Sequence, residues 1–596
     1  MITEMTKYNF VLLSGDADAF LRTLQGVGIV DITRSQLPVD EESEAASALA
    51  AKLHRAIGIL NTVPEAAPLN RKPDDAAEAV ISLSAERDAL QQQLAEQLAD
   101  VDELKPWGDY NPDDIAKLEA NGLKMRFYKV RKADFQESWS TDYALSEVST
   151  DDTYVYFVTI SDSDDYNFPV KELPRPRRTF AEAQAEIGAL RGRIADCDSQ
   201  MAGLKSLTDE LQRQLDSTRI ALDRCLANAS AERTAENYLT VFEGFVPKEN
   251  EPQLQPVLDA ANVYYIAEGA KDADNPPIKL KNNRFVSMFE LLTDMYGRPR
   301  YSEFDPTVWI SIFFMLFFAF CMGDAGYGLI LIAIGFALKS KMSKISPLVV
   351  TLGVATTVIG LLFHTFFSTD MLGWNCLPEG VKRLMLPSQI AGYDGTMMLA
   401  IGIGVVHLCL AMIIKTWQAT KNSGFAGSLG TWGWTLLIVG GVIVGGMALV
   451  GVIDSNAARL TIIVLGVISA LGIFFLNDLH RNPLANFGVG LWNTYNTATG
   501  LLGDVLSYLR LYALGLAGAK LGEAFNAIGT QALGDGGIGW LFFILIVIVG
   551  HTLNLAMCVL GAFVHPLRLN FLEFFKNSGY EGTGRKYNPL TENINN

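Results

Sequence analysis

The 596-residue chain carries an arginine where an arginine is costly. Arg510 sits in GDVLSYLRLYALGLAGAKL, in the middle of the apolar span 491–528, with about 19 residues of the span before it and 18 after. A guanidinium at the bilayer centre costs about 2.5–3.5 kcal/mol on insertion scales, and from mid-run it cannot reach either surface. Gly503, Ser507, Leu514 and Ala517 recur at helical spacing on the face of Arg510. Small neighbours let another helix approach closely. A lone cation facing a close-packed partner calls for an anion. Asp504 is six residues away and largely off that face, so the anion is expected on another chain. The next apolar run carries Asn554, Cys558, Gly561, His565, Arg568 and Leu572 at spacings of four and three. Pro566 removes a backbone hydrogen bond in that run. Arg568 and Glu573 lie nearer its end, where snorkelling to the headgroups is an equal reading. His364, His407 and His551 read as satisfied bundle residues, and Lys520 and Glu523 as boundary markers. There is no GxxxxGK[ST] loop, GxSxG elbow or HExxH pair. The glycines at 440–446 read as helix packing. No centre for covalent chemistry, metal or cofactor is expected.

These residues need a membrane bundle to hold them. Apolar stretches of membrane length fall at about 306–322, 325–338, 346–366, 396–414, 429–451, 459–476, 488–528 and 538–575. Eight spans put both ends of the chain on one side. Lys339, Lys341, Lys344, Lys415, Lys421, Arg481, Lys576, Arg585 and Lys586 fall on that side, as the positive-inside rule asks. Lys382 and Arg383 break the rule in the outer loop 367–395. A helix over 491–528 would be about 57 Å long, against about 30 Å of hydrocarbon. The last two helices are therefore expected to be long and strongly inclined, as helices that wrap a cylindrical partner would be.

Charge divides the chain. Residues 1–300 hold 33 basic and 51 acidic residues, and residues 301–596 hold 15 and 14. The first half reads as an acidic soluble domain, the second as a membrane domain. The net charge of −17 argues against nucleic acid as a partner. The start MITEMTKYNF has no basic, apolar leader, so the soluble half is expected in the cytoplasm. The six cysteines form no CxxC pair.

In the soluble half, strands are expected at 7–13 and 27–32 around a helix at 17–26, with the chain returning through strands at 238–247 and 262–269. Helical arms are expected over 41–63 and 75–104, interrupted by Pro64, Pro68 and Pro73, and over 179–233. From Leu190 to Cys225 apolar positions recur at four and three without a slip, which predicts one continuous coiled-coil helix. Between the arms, KMRFYKV and TYVYFVTI alternate like strands of a second lobe within 107–175. The expected fold is an α-helical polytopic membrane domain of about eight helices behind a cytoplasmic domain (1–300) of two small α/β lobes. The lobes, at about 1–40 with 235–300 and about 107–175, are joined by an antiparallel coiled-coil hairpin with arms at about 41–105 and 179–233. A rigid arm about 75 Å long suits a spacer, not an active site.

Three segments in order resemble subunit a, or subunit I, of the V-type and A/V-type rotary ATPases, in a prokaryotic-like form. They are FVSMFELLTDMYGRPRYSEFDPT with FFMLFFAFCMGDAGYGL, then DVLSYLRLYALGLA, then GAFVHPLRLNFLEFFKNSGYEGTGRKYNPL. The resemblance implies a stator membrane subunit that is not an enzyme by itself. It would offer two ion half-channels to a rotor ring of carboxylate-bearing membrane subunits. Arg510 would separate the channels and stabilise the ring carboxylate as its ion is exchanged, coupling H+ or Na+ movement to ATP hydrolysis or synthesis. Arg568 matches the second family arginine. Asn493, Asn496, Asp504, Ser507, Tyr508, Asn554, His565 and Glu573 are candidates to line the channels or orient the arginines. The resemblance further implies peripheral stalk subunits on the cytoplasmic lobes, a soluble ATPase sector reached indirectly, and a prokaryotic plasma membrane with both termini cytoplasmic. Two positions depart from eukaryotic relatives: Cys558 stands for a glutamate and Gly518 for a histidine. The alternative class is a secondary transporter with a cytoplasmic coiled-coil regulatory domain, which predicts an internal repeat of broken helices that the spans lack. A membrane-anchored tether would leave Arg510 unexplained.

Overall fold

A computed structural model describes every residue except 36, 39, 70–71, 110–111, 163–167, 176–177, 237, 262, 372–384, 386, 388, 391, 477–482, 534–536 and 593–596. Cys376, Lys382, Arg383 and Arg481 lie outside the described residues. The chain folds as two compact units, one of residues 12–28, 33–242 and 590–596, the other of 1–11, 29–32 and 243–589.

The first unit is built on helical arms. After α1 (Ala17–Val27) come α2 (Glu41–Thr62) and α3 (Ala76–Leu104), then α4 (Phe180–Leu204) and α5 (Thr208–Ala229). α3 runs antiparallel to α4, as ion pairs Glu86–Arg193 and Asp100–Arg178 require. Leu90, Leu190 and Cys197 are buried in that seam, and Leu53, Ile57, Leu211 and Leu215 in the seam of α2 with α5. The continuous helix expected over 179–233 is two helices joined by a 3-10 turn, Lys205–Leu207. The opposite arm is itself interrupted between Thr62 and Ala76, and Lys205 Nζ donates to the carbonyls of Val63 and Pro64 there. Each arm therefore breaks where its partner breaks. Between the arms, Lys124–Arg131 and Tyr154–Ser161 pair antiparallel in a four-stranded sheet over Trp107, Phe127 and Tyr156.

The second unit opens with a sheet in which Met5–Leu13 pairs antiparallel with Tyr264–Gly269, and Asp31–Ile32 pairs with Leu239–Pro247. Only Asp31 and Ile32 of the strand expected over 27–32 enter it. Among the described residues the chain then reaches eight apolar helices: α6 (Thr307–Met322), α7 (Ala325–Leu338), α8 (Ser346–Leu362), α9 (Gly395–Gly427), α10 (Leu429–Leu449), α11 (Ser455–Phe474), α12 (Pro483–Ala532) and α13 (Gly537–Arg568). α9 to α13 are long and apolar enough to cross a membrane, whereas α6 to α8 have 16, 14 and 17 residues. At 1.5 Å per residue those three span about 21–26 Å. α6 is the core of the bundle, with Phe314, Phe317, Phe318 and Phe320 almost wholly buried. α7 meets α8 through glycine: a Cβ on Gly335 would lie 2.6 Å from Val350. α12 has 50 residues, about 75 Å of helix.

The segment before α6 and the tail after α13 meet. Tyr580 Oη donates to Gly297 O at 2.7 Å, Gly584 pairs with Arg298, and Arg300 reaches Glu581 at 2.6 Å. Gly297 has φ +142°, and the backbone of Gly582 occupies the place of a side chain there. Two of the segments that carry the family resemblance thus form one joint. Farther along, Tyr587 Oη donates to Ile29 O at 2.6 Å, tying the tail to the sheet.

Candidate functional site

Arg510 lies at mid-length on α12, half-buried, where α12 crosses α13. Glycine sets the approach of the two helices. A Cβ on Gly518 would lie 2.6 Å from Cys558 Sγ, and one on Gly529 would lie 3.2 Å from Val547. The Arg510 Nη1 is buried and has no hydrogen-bond partner. Its charge reaches Cys321 on α6 and His565 on α13, and Arg568 acts on His565 as well. Past Pro566 the helix widens into a π turn, Leu569–Phe574, and Asn570 Nδ2 bonds back to Pro566 O at 2.9 Å. That turn carries Glu573, which is 4% exposed and faces Ser507, Arg510 and Asp504. His565 Nδ1 and Glu573 Oε2 are buried and unpartnered, like Arg510 Nη1. Orphaned polar atoms are rare in a finished core. Three of them in one neighbourhood mark a candidate polar site.

Two cavities flank Arg510 along α12. On the N-terminal side, a cavity of about 250 Å³ is lined by Lys415, Thr435, Asn496, Thr497, Asp504 and Lys576. The Asp504 carboxylate there takes Asn577 Nδ2 at 2.7 Å and Lys576 Nζ at 3.4 Å. On the C-terminal side, a cavity of about 830 Å³ is lined by His364, Asp370, Asp394, Tyr512, Lys520 and Glu523 among others. Tyr512 Oη donates to Asp394 at 3.4 Å, and Lys520 pairs with Glu523 at 2.7 Å. Arg510 falls between Asp504 and Tyr512, the residues through which the two cavities come nearest to it along the helix.

The other candidates are placed differently. Tyr508 is fully buried on the opposite face of α12, its hydroxyl 2.9 Å from His407 Nδ1. Gly404 makes room for its ring, and His407 is stacked between Phe313 and Phe574 at 4.0 and 4.5 Å. Tyr508 therefore braces the bundle beside the turn that holds Glu573. Asn493 is half-buried near the start of α12, about 17 Å of helix before Asp504. Asn554 is fully buried and donates to Tyr327 Oη and to Gly518 O, both at 2.9 Å. The charge pattern did not single out Asn577, Asp394 or Tyr327, which lie outside the two apolar runs inspected for chemistry. His551 was visible three residues before Asn554, on one helix face.

A protein-family model described as the V-type ATPase 116kDa subunit family matches residues 195–357 and 498–591, which include Arg510 and Arg568. Subunit I 1 of the V-type ATP synthase of Treponema pallidum is 25% identical over 99% of this chain and 100% of its own length. Subunit I of the A-type ATP synthase of Methanocaldococcus jannaschii is 27% identical over 70% of this chain and 64% of its own length. The Pyrococcus horikoshii protein of the same name is 33% identical over 54% of this chain and about half of its own length, 49%. A crystal structure of the cytoplasmic N-terminal domain of subunit I, a homologue of V-ATPase subunit a, covers 44% of this chain at 16% identity with a TM-score of 0.20.

Proposed function

We propose, from the premise that this chain is a homologue of subunit I of the V-type and A-type ATP synthases, that it is the ion-conducting stator subunit of a rotary ATPase. In this reading a ring of carboxylate-bearing membrane subunits turns against the open face of α12 and α13. The observation that carries it is the buried, unpartnered Nη1 of Arg510. Beside it the face is apolar and uncovered: Leu502, Leu506 and Leu560 are 68%, 56% and 66% exposed. A carboxylate arriving about 4 Å from the guanidinium gains about 4 kcal/mol at an effective dielectric of 20. That is enough to hold it ionised while it gives up its ion.

The two cavities supply the routes. The one at Asn496, Asp504 and Lys576 opens toward the side of Lys339 and Lys415, taken as the cytoplasm. The one at Asp370, Asp394 and Glu523 opens toward the other side. Arg510 divides them and repels a cation that would cross directly. His565 and Arg568 hold the ring carboxylate from α13, and Glu573 with Ser507 receives or supplies the ion on the inner side. The helical arms and their lobe hold peripheral stalks against torque, and the ATP sites are on other subunits.

The test is ATP-driven ion uptake into vesicles by the assembled complex, comparing Arg510→Gln with wild type and following ATP hydrolysis and assembly. Uptake lost with assembly intact is the expected result. Uptake retained at normal coupling would overturn the mechanism.

A further inference from the structure

A chain of side-chain hydrogen bonds runs from the level of Gly518, two turns past Arg510, toward the larger cavity. Cys558 Sγ lies 3.5 Å from Asn554 Oδ1, and Asn554 Nδ2 lies 2.9 Å from Tyr327 Oη. Tyr327 Oη lies 2.7 Å from His551 Nδ1, and His551 Nε2 lies 2.9 Å from Asn526 Oδ1. Asn526 Nδ2 then donates to Phe367 O at 2.9 Å. The chain joins α7, α12 and α13 to the 365–370 hairpin.

The direction of its carboxamide links is determined. A backbone carbonyl can only accept, so Gly518 O and Phe367 O fix which atom of Asn554 and of Asn526 is nitrogen. Asn554 therefore donates to the Tyr327 oxygen, and a neutral His551 takes the Tyr327 proton on Nδ1. Asn526 Oδ1 can only accept, so His551 carries a proton on Nε2, and with Nδ1 accepting from Tyr327 the ring is neutral. With His551 neutral, every donor points the same way, from Cys558 to Phe367. Two links are carboxamides, whose N–H protons do not dissociate near neutral pH. Such a chain cannot pass a proton from end to end. It can hold helices in register, and Asn554 grips the α12 carbonyl of Gly518, two turns past Arg510.

The anchor at its hairpin end is Asp324, 4% exposed. Its carboxylate accepts from the backbone N–H groups of Gly326, Tyr327, Phe367 and Ser368. Gly522 leaves room for Ser368 between the hairpin and α12.

We infer that the Tyr327–His551 pair and the carboxamides on either side of it are a lock, not an ion path: they position α12 on α13 so that Arg510 faces its site, and they work with His551 neutral. The functional side of this inference rests on the reading of Arg510 above. The lock itself can be read without transport.

Glutamine at 551 offers one acceptor and one donor, as the neutral imidazole does, but cannot carry a proton. Leucine offers neither. The experiment compares His551→Gln, His551→Leu and Tyr327→Phe in membranes containing the whole complex. Labelling of Cys558 by a small maleimide, mapped by peptide mass, reports the fit of α13 on α12, and ATP-driven uptake is recorded beside it. The lock predicts labelling about tenfold faster in His551→Leu and Tyr327→Phe, unchanged labelling in His551→Gln, and uptake within about twofold of wild type in His551→Gln. Loss of uptake in His551→Gln with wild-type labelling and assembly would make His551 a proton carrier and overturn the inference. So would wild-type labelling in Tyr327→Phe, which retains the ring and remains informative if His551→Leu fails to assemble. Arg510→Gln in the same membranes tests the transport reading separately, and the labelling result stands whichever way that test falls.

Discussion

Gly518→Ala is a small change with a calculable consequence. The added Cβ would lie 2.6 Å from Cys558 Sγ, where ordinary contact needs more than 3.4 Å. The sulfur ends a one-torsion side chain, and swinging it aside breaks its weak bond to Asn554 Oδ1. Overpacking of this kind costs about 1–3 kcal/mol. Alanine returns up to about 1 kcal/mol of helix propensity in the same position. The net expectation for Gly518→Ala is a loss of about 0–2 kcal/mol. Because propensity and overpacking oppose each other, the single variant is ambiguous and the cycle is the test. In Gly518→Ala/Cys558→Ala the obstructing sulfur is gone while the propensity gain remains. The two substitutions should therefore couple favourably by about 1–3 kcal/mol, within the range seen for residues in contact. Thermal stability of the purified complex, with wild type, both singles and the double, measures it. Additivity within about 0.3 kcal/mol would refute the close approach of α12 and α13 at this level.

Further outcomes follow from the same geometry. Asp504→Ala should reduce uptake and stability more than Lys576→Met. The Asp504 side chain is 12% exposed and serves two partners, whereas Lys576 is 62% exposed; about 1–3 kcal/mol is expected against less than about 1, by thermal unfolding of the complex. Asp324→Ala strands four backbone donors and should prevent assembly, with Asp324→Asn intermediate, measured as complex recovered from membranes. Two soluble carboxylates should show opposite pH trends. Burial pushes the Asp294 carboxyl up, but Arg298 and Lys586 outweigh it and hold the pKa below the usual value. Its contribution is present above about pH 4 and is lost as pH falls through the folded value, so the stability advantage of wild type over Asp294→Asn should shrink on acidification. For Asp223 burial raises the pKa against the pull of Arg34 and Arg219. Its contribution is greatest at low pH and declines as pH rises above about 4, so Asp223→Asn should gain on wild type from about pH 4 upward. Melting temperatures across pH 3–7 measure both, and parallel curves for a variant and wild type would refute the corresponding assignment.

What could be read from the sequence was what local pattern determines. Arg510 stood out because a charge in an apolar run needs no fold to be conspicuous, and the arms showed through their four-and-three spacing. The break at Lys205–Leu207 did not show, because the interruption of the partner arm imposes it and the heptad continues across it. Tyr508 was grouped with Arg510 by closeness in sequence. Two residues along a helix turn through about 200°, so the same closeness places it on the other face, against His407. Lys576 was read only as a basic flank, and Asn577 was passed over, because both lie beyond the last apolar run; it is the π turn after Pro566 that brings them back onto Asp504. Cys558 and Gly518 were noted as two separate departures from eukaryotic relatives. In the fold they are one, since the sulfur occupies the space a side chain at 518 would take. A glutamate and a histidine in those positions could meet across the same gap, whereas here a thiol fills it and Asn554 bonds the carbonyl beneath. If the chain conducts ions as proposed, the route past this level follows the cavity wall through Tyr512 and Asp394 and not the helix seam, and substitutions at Asp394 should affect uptake more than substitutions at Cys558.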